Sequence, residues 1–232
     1  TCNDIKRVFS EYYHSESSVF AKGFIEEYYY KSVYGDEKQI FGGYPTNAGV
    51  MGIAPLGVIS PCNPAKALVD TFNAIFFVEG YARYSAALCA SAISSAMKPS
   101  STCETIIEDI LESIKLHKKR LEGNIWQNHG MYCNIGMKNE NLIKDVYKLA
   151  KNCKNPSSIY EDLTPVIEHQ FGADGAESMA IGVAMFTAAK GDFKDTVIGC
   201  VNFGRDNDSS ASFGGALAGA YNGIEKIPEK WV

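Results

Sequence analysis

Residues 102–116 read TCETIIEDILESIKL. Ile106, Ile107, Ile110, Leu111 and Ile114 recur at the spacings of a single helix face, not at the two-residue alternation of a strand. Pro99 punctuates the approach, and Ser100, Ser101 or Thr102 offers a hydroxyl to cap the first turn. The same signature continues outward in both directions. Upstream, 64–97 is dense in Ala and Ser and reads as one long helix or two shorter ones. Downstream, 141–153 places Leu142, Val146, Leu149 and Ala150 on one side, and 157–171 follows, interrupted by Pro165. Helices over 175–189, 192–201 and 211–221 complete the series, while 35–61 and 123–138 are Gly- and Asn-rich and read as loops.

Many of these helices carry small residues on the faces expected to point inward: Ala86, Ala87, Ala90, Ala92 and Ala96; Ala180, Ala184 and Ala188; Gly214, Gly215, Ala218 and Gly219. Small residues let helix axes approach closely, so the expectation is an all-α, compact many-helix bundle. No linker or internal repeat divides the chain, which predicts one domain over 1–232. Gly215 and Gly219 mimic a membrane G-x-x-x-G pair, but the apolar stretch around them is too short to span a bilayer.

With 46% hydrophobic residues over 232 positions the chain can bury a sizeable core. Its net charge of −5 is dispersed, with no basic stripe to release counterions from a phosphate backbone, which argues against nucleic acid as a partner. Tyr28, Tyr29, Tyr30 and Tyr34 stand beside Glu26 and Glu27, which would repel phosphate, so packing explains them better than base stacking. The seven cysteines are scattered and form no C-x-x-C pair, predicting free thiols in a reducing compartment. His129 and Cys133 lack the second pair that a zinc site needs. With no signal-peptide pattern and no spanning segment, the reading is a cytoplasmic, soluble protein without a membrane partner; the first residue, Thr1, suggests processing or trimming.

Residues 202–210 read NFGRDNDSS. Asp206 and Asp208, two apart, do not share a helix face, but they converge if the backbone turns just before a helix. With the Ser209 hydroxyl they would then present hard oxygens at a helix N-terminus, whose partial positive charge offsets carboxylate repulsion. Such a set suits Mg²⁺ or Mn²⁺. A calcium EF-hand fits badly, because positions six and twelve counted from Asp206 are Ala211 and Leu217 rather than Gly and Glu. The plainer alternative is an N-cap in which Asp208 or Ser209 satisfies free amides. His14, His117, His129 and His169 read as surface or core residues, Glu79 and Arg83 as a helix ion pair, and no G-x-S-x-G elbow exists.

The run VNFGRDNDSSASFGGALAGAYNGIEKIPEKWV, 201–232, closely resembles the C-terminal signature of the ADP-ribosylglycohydrolases at Gly204, Asp206, Asp208, Ser209, Gly214, Gly219, Ala220, Gly223, Ile227, Pro228 and Trp231. A second stretch, NAGVMGIAPLG at 47–57, is similar to that family's Asn-Gly-x-x-Met-Arg-x-x-Pro-Leu-Gly loop, and 86–97 and 176–192 are also family-like. The resemblance implies an orthogonal all-α bundle with two Mg²⁺ or Mn²⁺ ions in a cleft. It implies hydrolysis of the bond between the anomeric ribose carbon and an acceptor in ADP-ribosylated proteins or related ADP-ribosyl compounds. Carried across, Asp206, Asp208 and Ser209 take the metal-ligand roles and Asp206 the catalytic one. Gly42, Gly43, Tyr44, Asn47, Ala48, Gly49 and Met51 would line the ADP-ribose pocket, and Glu177 would support the site from behind.

Three departures accompany the match. Nothing before Gly42 resembles the family's first acidic cluster or its N-terminal Glu, so the chain reads as lacking the family's N-terminal part. Gly52 stands where many members carry Arg, and Phe77 falls where some place a pocket His, just ahead of Glu79-Gly80-Tyr81. These leave two other readings open: a non-catalytic nucleotide-binding or structural homologue, and a nucleoside-type N-glycosidase on the same fold.

Overall fold

Two buried helices organise the bundle. The computed structural model describes residues 2–15, 22–36, 45–121, 135–167 and 173–232. Among these it forms α1 (Cys2–Tyr13), α2 (Lys22–Tyr34), α3 (Ala48–Met51), α4 (Ala54–Val58), α5 (Pro64–Ala74), α6 (Gly80–Ala96), α7 (Cys103–Leu121), α8 (Ile135–Ala150), α9 (Tyr160–Ile167), α10 (Gly175–Ala188), α11 (Phe193–Phe203) and α12 (Asn207–Asn222), with three short 3₁₀ turns. Every residue of α6 from Ala82 onward, and every residue of α10, is buried. Both are rich in apolar and small residues on every side, as suits helices inside the core, and α5, α7, α8 and α12 pack against this pair.

Small residues set the closeness of the packing, as their placement predicts. A methyl group added at Gly57 would lie 2.8 Å from Cβ of Ile93 and 2.9 Å from the Ala90 carbonyl oxygen, so α4 rests on the backbone of α6. One added at Gly182 would meet the Phe213 ring at 2.5 Å, and one at Gly214 the Cys200 sulfur at 2.9 Å. The Ile face of α7 is buried at Ile106, Ile107, Ile110 and Ile114. Thr102 caps that helix: its hydroxyl accepts from the Thr105 amide at 3.1 Å, while Thr105 Oγ1 accepts from the Thr102 amide at 2.8 Å.

Of the two forms the sequence allows for 64–97, the structure takes the pair, α5 and α6, with Asn63 capping the Lys66 amide and Pro64 in the first turn. Other boundaries differ from the sequence reading. The stretch 35–61, expected as loop, contains α3 and α4. The last helix starts at Asn207 rather than Ala211, because the polar residues NDSS occupy its first turn instead of preceding it. The tyrosine cluster divides: Tyr28 is buried, whereas Tyr34 is 77% exposed. Tyr13 stacks on Tyr29 with ring centroids 4.2 Å apart, and Phe77 meets Phe9 and Tyr28 edge-on at 4.8 and 5.3 Å. Glu79 pairs with Lys31 of α2, and Arg83 donates Nε to the Phe72 carbonyl at 2.7 Å, so both ends of the expected Glu79–Arg83 pair are engaged elsewhere.

No described helix is long and apolar enough to cross a membrane. The described cysteines are free thiols; Cys133 lies outside the described residues. Burial pushes the Cys89 thiol far up and that of Cys200 up to about 12, whereas Cys62 is exposed. Because the thiolate is the reactive form, iodoacetamide at neutral pH is expected to alkylate Cys62 in the native protein. Cys89 and Cys200 should react only after denaturation, as read by peptide mass mapping; native-state labelling of either buried thiol would contradict this core.

Candidate functional site

The chain turns sharply between α11 and α12. Gly204 has φ +86° and Arg205 φ +54°, two successive left-handed residues. Glycine adopts this freely, whereas arginine does so at a cost of about 1–2 kcal/mol. Asp206 follows at the N-cap of α12, yet its carboxylate caps no amide. It turns instead toward the body of the protein. Oδ2 accepts from Asn47 Nδ2 at 2.7 Å, and Oδ1 accepts from the Ser209 hydroxyl at 3.2 Å. Asn47 is 5% exposed and gives its amide also to Ser178 Oγ at 2.8 Å. The plain capping role therefore does not describe Asp206.

Asp206 and Asp208 come within hydrogen-bond reach of each other. Burial, then the hydrogen bond and charge of Asp208, pushes the Asp206 carboxyl above its ordinary range; the hydrogen bond from Asp206 holds exposed Asp208 below it. Two carboxylates this close oppose each other's ionisation. Two convergent carboxylates beside a buried hydroxyl form a hard-oxygen donor set. That set fits a hard dication completed by water. Among the described residues no group of three His, Cys, Asp or Glu side chains gathers as a metal cluster; a cation held here would have two carboxylates and the Ser209 hydroxyl as its side-chain oxygens.

One face of α10 holds the arrangement in place. Asp174, Glu177 and Ser178 stand at positions i, i+3 and i+4 and so point the same way. Asp174 caps the helix, accepting from the Ala176 and Glu177 amides at 2.7 and 3.1 Å, and receives a hydrogen bond from the Tyr81 hydroxyl. Burial and the Asp174 carboxylate raise the Tyr81 phenol, which keeps it a donor. Glu177, 1% exposed, takes a two-pronged ion pair from Arg205, with Nη2 to Oε2 at 3.0 Å. Ser178 receives Asn47. The segment carrying Asn47 is pinned to the start of α10 by the isolated antiparallel bridge Thr46–Asp174 and by Asn47 N to Ala173 O at 2.8 Å.

The structure thus brings Asn47, Asp206, Asp208 and Ser209 together. Ala48, Gly49 and Met51 lie on α3 beside them. Gly49 serves packing, since an added methyl would lie 3.1 Å from Cβ of Ala86. Met51, 39% exposed, accepts from the Ser212 hydroxyl at 3.0 Å through its carbonyl and so ties α3 to α12. Gly52 is open, with nothing within 4 Å of where a side chain would begin. Gly42, Gly43, Tyr44, His129, Cys133 and His169 lie outside the described residues.

Sequence reasoning missed Tyr81, Asp174, Ser178 and Arg205. Two signals were present: Asp174 three residues before Glu177 is a capping pattern, and Arg205 adjoins an acidic pair. A shallow groove between α7 and α8, lined by Glu108, Leu111, Glu112, Lys115, Glu140 and Lys144, lies apart from this network. Its charges are partly paired, Lys144 with Glu140 at 2.6 Å and Lys115 with Glu112 at 3.7 Å, as on an ordinary solvated face.

Compared with known proteins, the chain matches the family model described as ADP-ribosylglycohydrolase over residues 10–232. No curated protein matches it.

Proposed function

The chain belongs to the ADP-ribosylglycohydrolase family, and on that premise we propose that it is a metal-dependent hydrolase of ADP-ribosylated proteins or related ADP-ribosyl compounds. The observation that carries the reading is the orientation of Asp206: it stands at a helix N-cap, caps nothing, and is drawn by Asn47 and Ser209 toward Asp208. A merely structural aspartate at that position would satisfy the first-turn amides.

In this proposal Asp206, Asp208 and Ser209 hold Mg²⁺ or Mn²⁺. Family resemblance implies two ions, for which the described residues offer this one set of ligands. When bound, such an ion orients ribose hydroxyls and acidifies a water for attack at the anomeric carbon. The residues of the chain do the rest. Asp206 is the carboxylate that accepts the proton of the attacking water. Asn47 fixes the rotamer of Asp206 while Ser178 fixes that of Asn47. The α3 turn, with Ala48, Gly49 and Met51, and the preceding Gly42, Gly43 and Tyr44 form the wall for the ADP-ribosyl group.

The test uses the full chain. Its thermal midpoint is followed while Mn²⁺ is titrated, with and without ADP-ribose, and release of ADP-ribose from an ADP-ribosylated protein is measured. A ligand at a hundred times its Kd stabilises by about 2.7 kcal/mol, a shift easily read. Stabilisation by Mn²⁺ together with release supports the hydrolase. Stabilisation by both ligands without release favours the non-catalytic nucleotide-binding homologue. No response to Mn²⁺ removes the site assignment.

A further inference from the structure

We infer that the Arg205–Glu177 ion pair is a positioning device for the Asp206 carboxylate, an inference that rests on the metal-site reading above. Arg205 immediately precedes Asp206 and occupies a left-handed conformation, φ +54°, directly after Gly204 at φ +86°. A non-glycine residue stays there only where its surroundings over-determine the backbone. The side chain supplies that determination. Its guanidinium makes a two-pronged contact with Glu177, through Nε to Oε1 and through Nη2 to Oε2 at 3.0 Å. A planar fork on a carboxylate fixes direction as well as distance, which a single point charge does not.

The other end of the pair is rigid. Glu177 is 1% exposed on a helix whose every residue is buried, one turn after its Asp174 cap. The next residue, Ser178, accepts from the same Asn47 amide that donates to Asp206. Adjacent residues of α10 therefore reach Asp206 by two routes. Glu177 acts through Arg205 on the backbone turn, and Ser178 acts through Asn47 on the carboxylate itself. Fixing both the Cα position and the Oδ2 direction determines where the oxygens lie before any cation arrives. A device that only joined α10 to the α11–α12 turn would need neither the fork nor the shared Asn47 route.

Groups that orient metal ligands without touching the metal change affinity by about 10–100-fold when altered. The experiment measures Mn²⁺ binding by loss of the free-ion electron paramagnetic resonance signal, alongside the thermal midpoint in EDTA. Variants are Arg205→Lys, which keeps charge but loses the fork, and Glu177→Gln, which keeps shape but loses charge. Arg205→Gly relieves the left-handed backbone while removing the clamp. We expect Arg205→Lys and Glu177→Gln to weaken Mn²⁺ binding about tenfold or more, with an altered line shape for the bound ion. Arg205→Gly should also bind weakly despite its relaxed turn. If the midpoint in EDTA drops while Mn²⁺ affinity and line shape match the parent, the pair merely fastens the helices and the inference is overturned. A parent that binds no Mn²⁺ at all overturns the metal-site reading, and the positioning role with it.

Discussion

Asp206→Asn and Asp208→Asn are each expected to abolish stabilisation by Mn²⁺ and to lower ADP-ribose release by at least 100-fold, the lower range for losing a positioned acid–base group. The helical far-UV signal should be unchanged. In EDTA, Asp206→Asn should be no less stable than the parent. The folded state raises the Asp206 carboxyl above its ordinary range. It therefore binds that proton more tightly than the unfolded chain, so ionisation there opposes folding once pH exceeds the ordinary carboxylate value, and protonation relieves the penalty as pH falls. Asparagine removes the penalty and still offers an oxygen to Asn47. Loss of metal response without loss of apo stability is the signature of a ligand rather than a scaffold residue.

The same pair sets a pH dependence. A cation competes with the proton for the Asp206 carboxylate, so Mn²⁺ affinity should fall as pH drops through the raised range of Asp206. If both substitutions leave the Mn²⁺ response intact, the cation binds elsewhere and the hydrolase reading loses its site.

The helical architecture was legible because burial leaves a periodic trace: Ile106, Ile107, Ile110 and Ile114 face the core as their spacing predicts, and the alanines of α6 and α10 mark where helices touch. Where α12 begins was harder to read. Asp206 looks like part of a loop and Ser209 like a cap, yet the helix starts between them at Asn207, since polar first-turn residues resemble the turn before it. The acidic pair could be found from local spacing. Local spacing could not link it to its supports, because Asn47, placed at the site by family resemblance alone, is 159 residues from Asp206 and Ser178 reaches it only through Asn47. Arg205 was visible as a charge, but nothing local reveals that its backbone is left-handed or that Glu177 is its partner.

The largest loss of stability is expected at Phe213, not at the site. Its ring is 1% exposed on α12 and occupies the space that Gly182 of α10 leaves open; a methyl group at Gly182 would come 2.5 Å from Cδ1 of that ring. Phe213→Ala should therefore cost about 3–5 kcal/mol, the range for truncating a buried phenylalanine and leaving a cavity. Urea denaturation monitored by far-UV circular dichroism gives the value. Gly182→Ala alone should also destabilise, by forcing the ring out of its seat. In the Phe213→Ala background the same methyl enters vacated space, so the double variant should be more stable than the sum of the single losses predicts, a coupling expected only for side chains in contact. Strict additivity, or a Phe213→Ala loss under about 1 kcal/mol, would show that α12 does not seat on α10 through this pair. The Asp206 oxygens are held by Asn47 and Ser209, so the folded fraction of Phe213→Ala should still bind Mn²⁺, which separates the stability of α12 from the aim of the carboxylates at its start.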